Sequence, residues 1–291
     1  MNWSDNAKGV TFMVVSIFGF VVNDTFMKSL FYHYPLFEII FLRGLFCLPL
    51  LFIVMKTKKI QIFNHARTGW NFMLMRGFAE VMATISFLSA LKYLPLPNVT
   101  AIIQILPLTV TMAAALFLNE RVGIRRWAAI IIGFIGVIIV IKPGTEGFSN
   151  YSFYAVLSVV FVTLREIVTR KVPAEVPSLM VTFVTALAVT VMSGAALPFI
   201  TLEMPDATAL LLVFSAAVAI FFGYLFSTMA MRIGEISLVS QFRYTAMIWA
   251  VILGYVVFND IPAPNTVIGS GIIVASGIYA FHRKRVKEGI Q

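Results

Sequence analysis

The sequence predicts an all-α membrane protein: ten transmembrane helices in two inverted five-helix repeats, with both termini cytoplasmic. Three observations carry that expectation. Sixty per cent of the 291 residues are hydrophobic and only 12% are charged, about half the charged share of a soluble domain. Apolar runs of bilayer length recur from end to end. Lysines and arginines fall almost wholly on alternate connections, as the positive-inside rule requires.

A ruler of about 20 residues per helix sets spans at 9–30, 35–55, 69–91, 96–118, 125–141, 151–171, 178–200, 207–230, 236–258 and 264–282. Met1 to Lys8 is polar, and the run after it is too long for a signal-peptide core and lacks a cleavage pattern, so it reads as the first span. Tyr34-Pro35 separates spans one and two, and Leu94-Pro95-Leu96-Pro97 separates three and four. Lys142-Pro143-Gly144 closes span five. The pairs Val172-Pro173 and Val176-Pro177 divide six from seven, and Ile261 to Pro264 divides nine from ten. The runs are continuous rather than alternating, which excludes membrane strands.

With a cytoplasmic N-terminus, the inside holds Lys8, Lys56, Lys58, Lys59, Arg67, Arg121, Arg125, Arg126, Arg170, Lys171, Arg232, Arg283, Lys284, Arg285 and Lys287. The outside holds only Lys28, Lys92 and Lys142, and a missed span would scramble that alternation. The net charge of +9 is thus mostly a topology signal rather than a nucleic-acid patch. Cys47 is the sole cysteine, so there is no disulfide framework and no cysteine metal site.

The halves rhyme at an offset of 140: Leu116 to Glu120 precede span five as Val256 to Asp260 precede span ten. Gly133 and Gly136 then correspond to a second small-residue helix with Gly269, Gly271 and Gly277. Because five is odd, a second copy begins on the opposite face and the repeat is inverted, which places a site near the midplane. The units are expected at 1–145 and 146–291.

Four arginines lie at membrane depth, Arg43, Arg76, Arg165 and Arg243. Each costs about 2.5 to 3.5 kcal/mol at a helix centre, so each must face a partner, a cavity or a ligand. Glu38 lies near the outer end of span two, where it can meet water, and is a candidate proton-coupling group or charge partner; Arg43 is deeper and a substrate-binding candidate. Arg76 and Glu80, four residues apart, share a face and either neutralise each other or serve a cavity. Arg165 and Glu166 project about 100 degrees apart, which argues against a shared partner. Arg165 either faces inward or snorkels to the cytoplasmic surface. Arg243 has no acid within one turn on its face, so it binds a substrate anion or bridges to Glu80 or Asp24. Asp24 is either a proton site or a fixed partner for an arginine. Pro107 frees a carbonyl near Ile103 and is expected to kink span four beside Gln104, a binding candidate. Tyr244 and Trp249 are candidate walls for a planar group. Trp3, Trp70 and Trp127 read as interfacial belt.

The segment from Asn98 to Lys142, with Pro107, the Leu-Phe-Leu-Asn-Glu-Arg turn and a glycine-bearing helix ending in Lys-Pro-Gly, resembles the EamA repeat of the drug/metabolite transporter superfamily. Glu235 to His282 repeats its closing portion. The resemblance implies a ten-helix carrier whose central cavity opens alternately to each side, lined by helices three, four, eight and nine. It associates the fifth and tenth helices with dimer contacts, so a homodimer is an expectation. One departure is Met247, which stands where the second half would match Pro107.

These readings converge on a secondary transporter of the cytoplasmic membrane for a small organic metabolite bearing a carboxylate or phosphate. The acids leave a zwitterionic or amine-bearing substrate as the alternative. His33, His65 and His282 form no HxxxH or HExxH arrangement, which argues against a membrane enzyme. No filter-like segment suggests a channel. No cofactor, metal or nucleic-acid partner is expected; the partners are a small molecule and the bilayer.

Overall fold

In a computed structural model, residues 3–60, 67–117, 122–144, 148–173, 175–233 and 239–287 are described. They form helices and turns, with no strand among them. The helices are α1 (Trp3–Leu30), α2 (Leu36–Thr57), α3 (Arg67–Tyr93), α4 (Leu96–Ile103), α5 (Leu106–Phe117), α6 (Ile124–Ile141), α7 (Ser152–Arg170), α8 (Ser178–Ala196), α9 (Ala207–Ile233), α10 (Ala246–Phe258) and α11 (Pro264–Lys287). Among the described residues, nine spans are long and apolar enough to cross a bilayer, and the apolar stretch Phe242–Phe258 supplies a shorter tenth. Helix is the natural solution, because hydrocarbon offers backbone groups no other partner.

Prolines set most boundaries. Pro35, Pro95 and Pro177 stand immediately before α2, α4 and α8 in extended conformation, where a missing N–H costs nothing. Lys142 ends α6 in the left-handed conformation, its N–H bonded to the Ile138 carbonyl. The Asn265 amide donates to the Ile139 and Val140 carbonyls, satisfying that helix end from α11.

Span four breaks where Pro107 predicts. The chain leaves the helix at Gln104 and Ile105, and α5 begins at Leu106. Span nine breaks as well, which Met247 does not predict: Ser240–Thr245 is a 3-10 turn ahead of α10. The two breaks sit at equivalent offsets and touch, the Gln104 amide donating to the Tyr244 carbonyl at 3.0 Å. Span seven ends in a 3-10 turn, Leu197–Phe199, after α8 closes at Ala196. The Leu118 to Arg121 turn lies outside the described residues, as does Glu235.

The main packing seams are α1 on α9, α3 on α7, α2 on α8 and α6 on α11. Small residues let backbones approach, as membrane interfaces require. A Cβ at Gly19 would stand 2.8 Å from the Ala219 carbonyl oxygen, and one at Gly269 2.6 Å from that of Gly136. The small-residue faces of α6 and α11 thus meet each other within the chain. Outward, α6 presents Ile131, Ile132, Ile135 and Ile138, an apolar face suited to lipid. Gly136→Ala and Gly269→Ala are each expected to destabilise the protein by about 1 to 3 kcal/mol through forced separation of the two helices. The double variant should lose less than the sum. Thermal unfolding in detergent measures both.

Candidate functional site

A cavity of about 1150 Å³ lies between α1, α2, α3, α4, α5, α7 and α9. It reaches one end of the bundle at Val172, Pro173 and Val176, in the connection between α7 and α8, and at Arg126 in the first turn of α6. That end also carries the connection after Thr57, so the mouth is on the basic side. Toward the other end the walls stop at Asp24, Leu88 and Thr100. Lys28, Leu94 and Asp260, farther along, are not among them.

The walls carry Arg43, Arg76, Arg126, Arg165 and Arg243 against Asp24, Glu80 and Glu166 among the described residues. All four arginines singled out from sequence therefore face the interior. They do so in different ways.

Arg165 is the hub. Its Nη1 donates to Glu80 Oε2 at 2.9 Å and its Nη2 to Glu166 Oε1 at 2.7 Å. The choice between snorkelling and facing inward is settled: the guanidinium points inward. Arg165 and Glu166 share no third partner among the described residues, but they bond each other, which their spacing did not suggest. The 100-degree separation describes Cα–Cβ directions, and a guanidinium several bonds away bends back to its neighbour. Glu80 also accepts from the Tyr224 hydroxyl at 3.3 Å.

Arg76 forms no direct ion pair with Glu80. Its Nε donates to the Thr169 hydroxyl at 2.8 Å, and its Nη1 to the Thr185 hydroxyl. Those threonines in turn donate to the Arg165 and Val181 carbonyls of their own helices. Arg76 thus binds α3 to α7 and α8, while Glu80, one turn on, serves Arg165.

Arg43 is buried and donates to Asn23 Oδ1 at 3.1 Å; Asn23 Nδ2 donates to Asp24 Oδ1 at 2.9 Å. The amide relays between the two charges at the blind end. Asp24 and Asn23 are brought there by one turn of α1.

Arg243 lines the cavity from the 3-10 turn and makes no hydrogen bond or ion pair with the described residues. Gln104 lines it too. Three other candidates do not reach its walls. Glu38 accepts the Glu203 backbone N–H at 3.0 Å, holding the connection before α9, and so is not a cavity charge partner. The Tyr244 ring lies against Gly277, behind the cavity surface, with its hydroxyl buried and unbonded among the described residues. The Trp249 indole packs edge-on against Phe18, 4.9 Å between centroids. Neither is a wall for a planar group in this state.

Sequence reasoning missed Tyr224, Thr169 and Thr185, whose hydroxyls acquire meaning only when α7, α8 and α9 surround α3. It also counted Arg126 as a loop charge, whereas the fold turns it into the cavity wall. No group of three or more metal-ligating side chains occurs among the described residues.

The EamA-like transporter family profile matches residues 7–142 and again 150–281. The chain is 25% identical over 280 residues to an S-adenosylmethionine uptake transporter of Rickettsia prowazekii, covering 95% of this chain and 93% of that one. It is 24% identical over 286 residues to the pseudopaline exporter CntI of Pseudomonas aeruginosa, covering 95% and 97%. It is 29% identical over 237 residues to a riboflavin transporter of Vibrio cholerae, covering 79% and 78%. A crystal structure aligns over 99% of this chain and 100% of its own with a TM-score of 0.69 and 17% identity, a likeness of fold. The polar cavity within apolar spans and the match across both halves agree: the chain belongs to the EamA-like transporter family, a multi-pass membrane transporter rather than an enzyme.

Proposed function

We propose that the protein is a secondary transporter of the cytoplasmic membrane that moves a carboxylate- or phosphate-bearing metabolite by alternating access, with Arg243 as the anion anchor. The carrying observation is the unequal engagement of the cavity's charges. Arg165 is held by two carboxylates, Arg76 by two hydroxyls and Arg43 by the Asn23 relay, whereas Arg243 lines the cavity near enough to feel the charge of Glu166 but with no hydrogen bond or ion pair among the described residues. A planar donor fork in a site shielded from bulk water suits a carboxylate or phosphate.

The repeat reading, 1–145 and 146–291 inverted, is supported by the seams. Exchanging the halves carries the α1–α9 seam onto α7–α3, and returns α2–α8 and α6–α11 to themselves. The meeting of Gln104 with Tyr244, at an offset of 140, supports it further. Cytoplasmic termini are supported by the basic side, where the cavity mouth also lies.

A second reading, a zwitterionic substrate, is favoured by Asp24, which the Asn23 amide engages but no direct ion pair does. S-adenosylmethionine, carried by one relative, is of that kind.

Solute counterflow in proteoliposomes tests the carrier. Saturable, solute-specific exchange is expected; conductance without saturation would sink it. A thermal-shift screen against organic acids, phosphate esters, amino acids and nucleosides then tests the substrate class, with an acid or phosphate ester expected to stabilise the protein most.

A further inference from the structure

At the blind end of the bundle a lysine is buried where hydropathy offers it no reason to be. Lys28, in the last turn of α1, has a side chain only 4% exposed. Its Nζ donates to the Leu94 carbonyl and to Asp260 Oδ2 at 3.3 Å, and lies 5.1 Å from the centre of the Phe258 ring. Asp260 Oδ2 also accepts the Leu96 backbone N–H at 3.3 Å. One ion pair therefore ties the end of α1 to the turn between α3 and α4 and to the turn between α10 and α11.

Burying such a pair gains little stability over apolar residues of the same size, because both ions must shed water. Its usefulness lies in having two states. Asp260 keeps 22% exposure, so water can take over its half of the bond when the turns part. Lys28 also lies four residues beyond Asp24, on the same face of α1. That face carries the cavity's innermost acid and, one turn outward, the cation that closes the bundle. Helix α1 packs closely on α9, where Gly19 meets Ala219 and Gly223.

We propose that Lys28 and Asp260 form the gate on the side opposite the present mouth: paired, they hold the cavity shut there, and their separation admits solvent and substrate from that side. The inference rests on the alternating-access reading and names the contact that must break in each cycle.

Accessibility of a cavity thiol tests it. Cys47→Ser removes the sole cysteine, and Thr84→Cys places one in the cavity wall. Oriented vesicles are then treated with a membrane-impermeant methanethiosulfonate from each face separately. With the pair intact, modification is expected from the mouth side. Lys28→Met or Asp260→Asn should raise the rate from the opposite side at least tenfold. The charge-reversed pair Lys28→Asp with Asp260→Lys should return it toward the parent rate. Folded single variants that keep the parent's rate overturn the gate alone. Where Lys28→Met does not fold, Asp260→Asn, at the partly exposed position, carries the test. Loss of folding in every variant assigns the pair to the fold and likewise overturns the gate. Equal modification from both faces of the parent overturns the pair as the closed gate of the resting protein, whereas absence of saturable counterflow overturns alternating access itself, and the gate with it.

Discussion

Arg165→Ala should cost the protein about 3 to 5 kcal/mol, the range for removing one partner of a buried ion pair, and lower its unfolding temperature in detergent with no substrate present. The cause is what remains. Glu80 and Glu166 would keep their charges beside each other in a cavity wall, with Tyr224 as the only hydrogen-bond donor to Glu80 among the described side chains still in place. Arg165→Lys should recover part of the loss, because an ammonium reaches one carboxylate well but lacks the fork that bridges two. Glu80→Gln should be milder, on the order of 1.5 to 3 kcal/mol, since Arg165 retains Glu166 and the amide can still bond Tyr224. Equal unfolding temperatures for Arg165→Ala and the parent would show that the triad does not hold the fold.

Arg243→Ala should behave in the opposite way. Without substrate its unfolding temperature should stay close to the parent's, because no ion pair with a described residue is broken. With substrate, binding should weaken by about 2 kcal/mol or more, which is roughly thirtyfold or greater. Arg243→Lys should not restore it, since a point charge replaces two parallel donors. A ligand that stabilises Arg243→Ala as well as it stabilises the parent would remove this arginine from the substrate site.

The contrast between these two arginines marks how far the sequence could be read. Spans, breakers and the interior placement of Arg43 and Arg76 were legible, because lipid penalises an exposed charge deep in a span, whereas Arg165, nearer the cytoplasmic end, could equally have snorkelled. The kink at Gln104 and Ile105 was legible from Pro107. Its counterpart at Ser240–Thr245 was not, because no proline marks it in the sequence. Partner choice was the least legible feature. Arg76 and Glu80 have ideal spacing for a local pair, yet Glu80 takes Arg165 from α7 and Arg76 takes hydroxyls from α7 and α8. Spacing along one helix cannot anticipate a competitor arriving on another. For the same reason Lys28 read as an outside loop charge and Arg126 as a topology marker. Glu38 read as a water-accessible proton-coupling group or charge partner near the outer end, although it is committed to a backbone N–H.

The Arg165 hub has a consequence for how the chain can be divided. The residues before the connection at 145 supply Glu80 and Arg76; those after it supply Arg165, Glu166, Thr169, Thr185 and Tyr224. Each set is formally neutral, yet the contacts that satisfy Glu80 and Arg76 come from the other set. A fragment ending near 145 would leave Glu80 without its arginine, and the complementary fragment would leave Arg165 with a single carboxylate. The halves are therefore incomplete in hydrogen bonds rather than in net charge, and a protein fused from two copies of the first would have only Arg76 to answer each Glu80. Whatever symmetry shaped this molecule, crossed pairing has made each half the other's hydrogen-bond partner.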